Sequence, residues 1–320
     1  MKIIISCISL LAVAVHFTCS PAASRPPLEQ WGYVLHSAPQ DKACLDRALR
    51  RFSVLAVTGF SLDRKGALMR SGGSVVKKIL NDSGVSAVTV YPLITFASPA
   101  DGVAFLDSPP TQAAGITAIK NMTNTLHVPG IHLDFEYLSG AHALKLKAFI
   151  QHLRLSLQGK TVTMAVFPSV EFPEKWSSFH DLSLLDPVLD EIVLMCYDYH
   201  RPGTKPGPVT DLDWVEKNII SALKHVGPGK VWLGVPAYGY SWPPAGKPRV
   251  ITEKEGLRLG RQYGSSRDPS GTLFVQYVRN GVTRRAWFAD IKTRERLAGL
   301  AEKYHLRGTA LWRIGFEETP

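Results

Sequence analysis

Short apolar runs rich in β-branched residues recur along the chain, each followed by a polar or helix-patterned stretch. They predict strands at Trp31–Leu35, Ser53–Phe60, Ser86–Phe96, Gly130–Tyr137, Thr161–Phe167, Glu191–Tyr197, Lys230–Ala237 and Gly308–Ile314. Between them, apolar residues at three- and four-residue spacing predict helices at Gly73–Leu80, Thr111–Leu126, Ala141–Leu157, Asp213–His225 and Ile291–Tyr304. In Ala141–Leu157 the stripe is Leu146, Phe149, Ile150, Leu153 and Leu157, with Leu144 off it, so one face is buried.

Strand and helix alternating over a whole chain predict an α/β fold with a parallel sheet, and eight such units predict a (β/α)8 TIM barrel. An open doubly wound sheet is the alternative, but neither of the glycine-rich phosphate loops it normally carries, G-x-G-x-x-G or G-x-x-x-x-G-K-[ST], is present. One small α+β insertion, about 241–289, interrupts the alternation between strands seven and eight. There Thr252 precedes Glu255 at capping-box spacing. Two β-rich runs, Thr272–Val278 and Thr283–Phe288, flank Asn280–Gly281, a strong hairpin signal. The excursion is expected to form one wall of a cleft.

Composition narrows the class. With 320 residues, 45% hydrophobic and 20% charged, the chain is globular, which excludes disorder, collagen and a coiled coil. Lys2, the apolar run Ile3–Val15 and the small residues around Ser20–Ser24 predict a cleaved export signal over 1–24, leaving 25–320 as the barrel. Lipid attachment at Cys19 is a second possibility, and a secreted, periplasmic or cell-envelope location follows from either. Of the four cysteines, Cys7 and Cys19 belong to that segment, and Cys44 on a helix and Cys196 inside a strand are expected to remain unpaired. The histidines and cysteines show no metal-ligand spacing, so neither metal nor cofactor is expected. Asn81–Asp82–Ser83 and Asn121–Met122–Thr123 are glycosylation sequons.

The chemistry concentrates on Gly130–Tyr137. Side chains alternate along a strand, so His132, Asp134 and Glu136 share one face and Ile131, Leu133, Phe135 and Tyr137 the other. In a barrel the apolar set packs under the helices, and the polar set must point inward. Burying two carboxylates and a histidine is costly, which argues against an ion-paired core network. Carboxylates about 6.6 Å apart along a strand repel, which raises one pKa and keeps one group protonated near neutrality. Cleavage of a glycosidic bond needs such a general acid. Glu136, nearer the C-terminal mouth, is the better acid and Asp134, one layer deeper, the better partner.

These residues resemble a known family. Gly130–Ile131–His132–Leu133–Asp134–Phe135–Glu136 resembles the fourth-strand motif D-G-x-D-x-D-x-E of glycoside hydrolase family 18. Met195–Cys196–Tyr197–Asp198 is similar to its M-x-Y-D, and Leu311–Trp312–Arg313 to the segment around its eighth-strand tryptophan. Leu233–Trp242 and Ala286–Asp290 are similar to the bacterial branch that trims peptidoglycan and spore cortex. The resemblance spans about Trp31 to Phe316. It implies that Glu136 protonates the leaving oxygen while Asp134 orients the substrate's own N-acetyl group, which attacks C1 in a retaining mechanism. It implies further that Tyr197 hydrogen-bonds the acetamide, that Met195, Asp198 and Tyr238 line the same subsite with Tyr33 and His132, and that Trp312 stacks on a sugar.

Two positions depart from the motif. Pro129 replaces its first Asp and His132 its middle one. A histidine there is expected to hold Asp134 ionised, as a cation or a hydrogen-bonding partner. Two functions remain open: a hydrolase of β-1,4-linked N-acetylglucosamine glycans, chitin or peptidoglycan, and a non-catalytic glycan-binding protein on the same barrel. A monomer is expected. Net charge is +10, or +9 once Lys2 is removed with the signal. Its densest groups, Arg47, Arg50 and Arg51, Lys77 and Lys78, and Arg284 and Arg285, do not alternate with aromatic residues, so nucleic acid is not an expected partner. The excess points instead to an anionic wall polymer. No segment is expected to span a membrane.

Overall fold

The computed structural model describes residues 28–38, 42–82 and 88–318. The expected export segment, with Cys7 and Cys19, and Ser83 of the first sequon lie outside the described residues. Eight parallel strands, Glu29–Val34, Val54–Leu62, Thr89–Phe96, Gly130–Leu133, Thr161–Val166, Glu191–Met195, Val231–Pro236 and Gly308–Trp312, pair in chain order. The eighth closes on the first, with Gly308 beside Glu29, which excludes the open sheet. No described helix is long and apolar enough to cross a membrane.

The period-two alternation sorts the side chains as expected as far as Phe135, whereas Tyr137, expected on the outward face, turns to the barrel mouth beside Glu136. Ile131, Leu133 and Phe135 pack outward into the shell beneath the helices, where Leu146, Phe149, Ile150 and Leu153 of the helix Ala143–Ser156 meet them. Leu144, off the stripe, is exposed. Burying each such Leu or Phe stabilises the fold by about 1.5–3 kcal/mol. Inside the barrel a plug of Trp31, Tyr91 and Trp232 fills the lower layers, with ring centres 5.6 and 5.4 Å from that of Trp31. This plug makes the interior solid, so any cavity must lie above it. Cys196 is a fully buried free thiol, and so does not bridge to Cys44.

Three of the expected boundaries shift in the structure: the ends of strands four and six and the start of the insertion. Strands four and six stop at Leu133 and Met195, short of Tyr137 and Tyr197. Beyond them Tyr137 (φ 62°) and Asp198 (φ 60°) take the left-handed conformation, which no ladder accommodates. Between strands five and six, where no helix was expected, only single-turn helices form, from Glu174–Ser177, which starts after Pro173, to Asp186–Val188, with Pro187 in its first turn. The insertion begins at Tyr238 rather than 241, since Pro236 lacks an N–H for the ladder and the chain crosses to a second sheet at Tyr238–Trp242.

That sheet is antiparallel and five-stranded, in the order Arg249–Thr252, Tyr238–Trp242, Val282–Phe288, Leu273–Arg279, Ser266–Arg267. Gly239 allows two of its strands to meet, because a Cβ there would lie 1.9 Å from the Trp287 carbonyl oxygen. Asn280 (φ 52°) and Gly281 (φ 71°) form the expected hairpin turn. Thr252 caps the helix Glu253–Tyr263. The second half of a capping box is lost because the Glu255 carboxylate takes a bidentate pair with Arg249 at 2.7 and 2.8 Å. A second bidentate pair, Arg267 to Asp290 at 2.7 Å, ties the sheet to the following helix.

Candidate active site

A cavity of about 190 Å³ opens above the aromatic plug at the C-terminal mouth of the barrel. It is lined by Asp134, Glu136, Tyr197, Trp312, Met195, Asp198, Tyr238 and Tyr33. Eight of the nine residues expected from sequence therefore meet there, from strands one, four, six and eight and the insertion. Trp312 lies nearly parallel to Tyr197 (22°) and edge-on to Tyr33, with ring centres 6.5 and 5.1 Å away, and so presents a flat apolar floor.

Asp134 and Glu136 share a hydrogen bond. Burial raises the Asp134 carboxyl to about 6, against the downward pull of the bond from Glu136. Glu136 is driven well above the usual carboxylate range, first by burial, then by the Asp134 charge and the bond between them. Burial and mutual repulsion thus disfavour ionising both carboxyls together, and of the two Glu136 is pushed further toward its protonated form. Asp134 Oδ1 is buried and has no protein hydrogen-bond partner among the described residues. An acceptor in that state favours any ligand that brings an N–H to it.

Asp198 is held differently. Its Oδ1 accepts from the hydroxyls of Tyr238 (2.5 Å) and Tyr240 (2.8 Å). Burial raises its pKa, and the two tyrosine bonds and Arg201 oppose that rise. Tyr197 and Tyr238 are pushed well above the ordinary phenol value by burial, so both remain hydrogen-bond donors.

His132 is the ninth residue, and here the sequence expectation is corrected. It is fully buried below the cavity, does not line it and does not bond Asp134. Thr163 Oγ1 donates to the Ile131 carbonyl (3.1 Å), so it must accept from His132 Nδ1 (2.8 Å). Nε2 is then the acceptor for the Tyr33 hydroxyl (3.0 Å). Both nitrogens are satisfied in the neutral tautomer, and burial lowers the imidazole to about 3. A cation there would pay desolvation with no carboxylate bonded to it, so His132 supports Tyr33 from below and contributes no charge to Asp134.

His132→Ala is expected to cost about 2–4 kcal/mol, from the cavity and the two orphaned hydroxyls, measurable by urea denaturation at pH 7. The unfolded histidine binds a proton below about 6.5 and the folded one only near 3. Its contribution to stability is therefore full above pH ~6.5 and is lost as pH falls toward 3. A His132→Ala protein as stable as wild type at pH 7 would contradict this assignment.

The sequence profile of Glycosyl hydrolases family 18 matches residues 104–317. The chain belongs to glycosyl hydrolase family 18. Among family-18-like solved structures, the Bacillus cereus spore cortex-lytic enzyme SleL superposes with a TM-score of 0.82 at 21% identity, over 92% of this chain and 73% of that one. A chitinase from Chromobacterium violaceum gives 0.82 at 23% identity, over 91% and 95%. These likenesses establish a shared fold. A Bacillus subtilis protein named uncharacterized glycosylase YvbX is 27% identical over 198 residues, 59% of this chain. The chain spans 62% and 58% of the lengths of the B. subtilis proteins YdhD and YvbX, both named as glycosylases.

Several cavity residues of this family-18 barrel escaped the sequence reading. Phe167, Phe172 and Arg201 line it, and Tyr137 hydrogen-bonds Glu136. Phe167 lies at the exit of strand five and Arg201 three residues past Met195–Asp198, so position beyond a strand end was the available signal. His180 was also missed. Its Nδ1 accepts from the Phe167 N–H and its Nε2 donates to the Phe135 carbonyl, both at 2.9 Å, which locks the exits of strands four and five together.

Proposed function

We propose that the chain is a retaining glycosidase of β-1,4-linked N-acetylglucosamine glycans, of the peptidoglycan or chitin type, acting outside the cytoplasm after export. The observation that carries this is the buried Asp134–Glu136 pair, in which burial and the Asp134 charge push the Glu136 carboxyl toward its protonated form and Asp134 Oδ1 is an acceptor with no protein partner among the described residues. Glu136 donates its proton to the leaving oxygen. The acetamide N–H of the bound sugar supplies the donor that Asp134 Oδ1 lacks, which turns the acetamide oxygen toward C1. As positive charge develops on that group, ionised Asp134 stabilises it more than it stabilises the ground state, which is the requirement for rate acceleration. The Tyr197 phenol donates to the acetamide oxygen and so holds it for attack, and Trp312 supports the ring face.

Release of reducing ends from chitooligosaccharides and from purified peptidoglycan, with products identified by mass, tests the proposal. Products retaining the β-anomer at first release are expected. Binding without turnover on both substrates would replace the hydrolase with a glycan-binding protein.

A further inference from the structure

Beside the carboxylate pair stands a cation held in place by the fold, which feels the Asp198 charge but makes no contact ion pair with it. Arg201 opens the turn Arg201–Pro202–Gly203–Thr204, in which Pro sets the first central position and Gly203 takes φ 94°, the pattern of a type II turn. The Thr204 N–H closes it on the Arg201 carbonyl (3.0 Å), and Thr204 Oγ1 accepts from the Arg201 N–H (3.0 Å). The guanidinium lies 4.6 Å from the Phe172 ring centre and 5.3 Å from that of Trp176. Nη1 donates to the Asp198 carbonyl at 2.9 Å. Side-chain rotamer freedom is thus largely lost before any ligand arrives.

Of the five N–H donors an arginine carries, the bond to the Asp198 carbonyl uses one of the two on Nη1. The nearby Asp198 Oδ1 is already committed to Tyr238 and Tyr240. No ion pair among the described residues includes Arg201. Lys175 adds a second positive charge on the same aromatic wall, 4.6 Å from the Trp176 ring centre. A planar, immobilised guanidinium lining a cavity, with donors that have no partner among the described residues, is the arrangement that takes a carboxylate through two parallel bonds.

We propose that Arg201 is a specificity-determining residue that binds a carboxylate borne by the glycan next to the reacting N-acetylglucosamine unit, making acidic N-acetylated glycans the preferred substrate class over neutral chitin. The inference rests on the glycosidase reading above for its substrate frame, and its test does not need turnover. The carboxylate has two sources, a lactyl ether on the sugar itself or a peptide attached to that ether.

The experiment measures equilibrium binding by calorimetry in the Glu136→Gln background. Three tetrasaccharides are compared: chitotetraose, the alternating N-acetylglucosamine–N-acetylmuramic acid chain with free lactyl carboxylates, and that chain bearing its peptides. At least one acidic chain is expected to bind about 10-fold or more tightly than chitotetraose, and which one does so identifies the source. Arg201→Gln is expected to bring that ratio close to one, and Arg201→Lys to retain part of it. The preference is expected to shrink as salt is raised. A ratio unchanged by Arg201→Gln, or equal weakening of all three glycans, would mean that Arg201 only supports the Asp198 loop, and the proposal fails. If wild type releases no products from any glycan while the Arg201-dependent ratio stands, the glycosidase reading fails and this one holds for a binding protein.

Discussion

Glu136→Gln is expected to lower kcat by about 10²–10⁴-fold, the usual contribution of a general acid, with little change in KM. Glutamine keeps the size and the hydrogen bond toward Asp134 but has no proton to give to the leaving oxygen. The same change removes the group that titrates on the alkaline side. In the wild type, activity needs Glu136 protonated, and burial with the Asp134 charge holds that proton well above the usual carboxylate range. The wild-type alkaline limb is therefore expected well above the ordinary carboxylate range, and the residual rate of the variant should show no such limb. Steady-state kinetics on a chromogenic N-acetylglucosaminide from pH 4 to 10 gives both numbers. A variant within a few-fold of wild type would remove Glu136 from the reaction.

Asp134→Asn is expected to cost about 10²–10³-fold in kcat, the scale of losing one preorganised electrostatic partner of the transition state. Its pH profile should change in two further ways. Activity requires ionised Asp134, so the wild-type rate is expected to fall as pH drops through about 6, and the variant lacks that acid limb. Glu136 also loses its charged neighbour, which lowers its pKa and moves the alkaline limb to lower pH. Stability should move opposite to activity. The folded Asp134 pKa lies above the unfolded one, so its ionisation disfavours the native state, and the variant should be the more stable protein above pH ~6. That advantage should disappear below about pH 4. Reduced stability at pH 8 together with reduced activity would indicate a structural role for Asp134 instead.

These two effects trace to the same feature. The pair is destabilising where it is useful, since burial that raises both carboxyls also prepares the proton for transfer. The left-handed backbone at Tyr137 and Asp198 is a further cost, of about 1–3 kcal/mol each, borne at the exits of strands four and six where the cavity begins.

The eight barrel strands and the inward face of His132, Asp134 and Glu136 were legible because both follow from local alternation. A strand's period of two assigns every side chain to a face with no knowledge of its neighbours. The hairpin at Asn280–Gly281 was legible for a similar reason, since the dipeptide itself favours positive φ. The start of the insertion was not, because Tyr238–Trp242 reads as a continuation of strand seven until its partners Val282–Phe288 and Arg249–Thr252 are in place.

The amino-acid sequence by itself determined the barrel, the motif-bearing strands and which carboxylates meet, because each rests on contacts between near neighbours or on strand pairing in chain order. Only the tertiary structure decided the charges. His132 is neutral because Tyr33, 99 residues away, and Thr163, 31 residues away, complete its hydrogen bonds. Arg201 is poised because Phe172 and Trp176 reach it from the preceding strand's exit. Protonation and orientation depend on desolvation and on partners distant in sequence, and a local pattern carries neither.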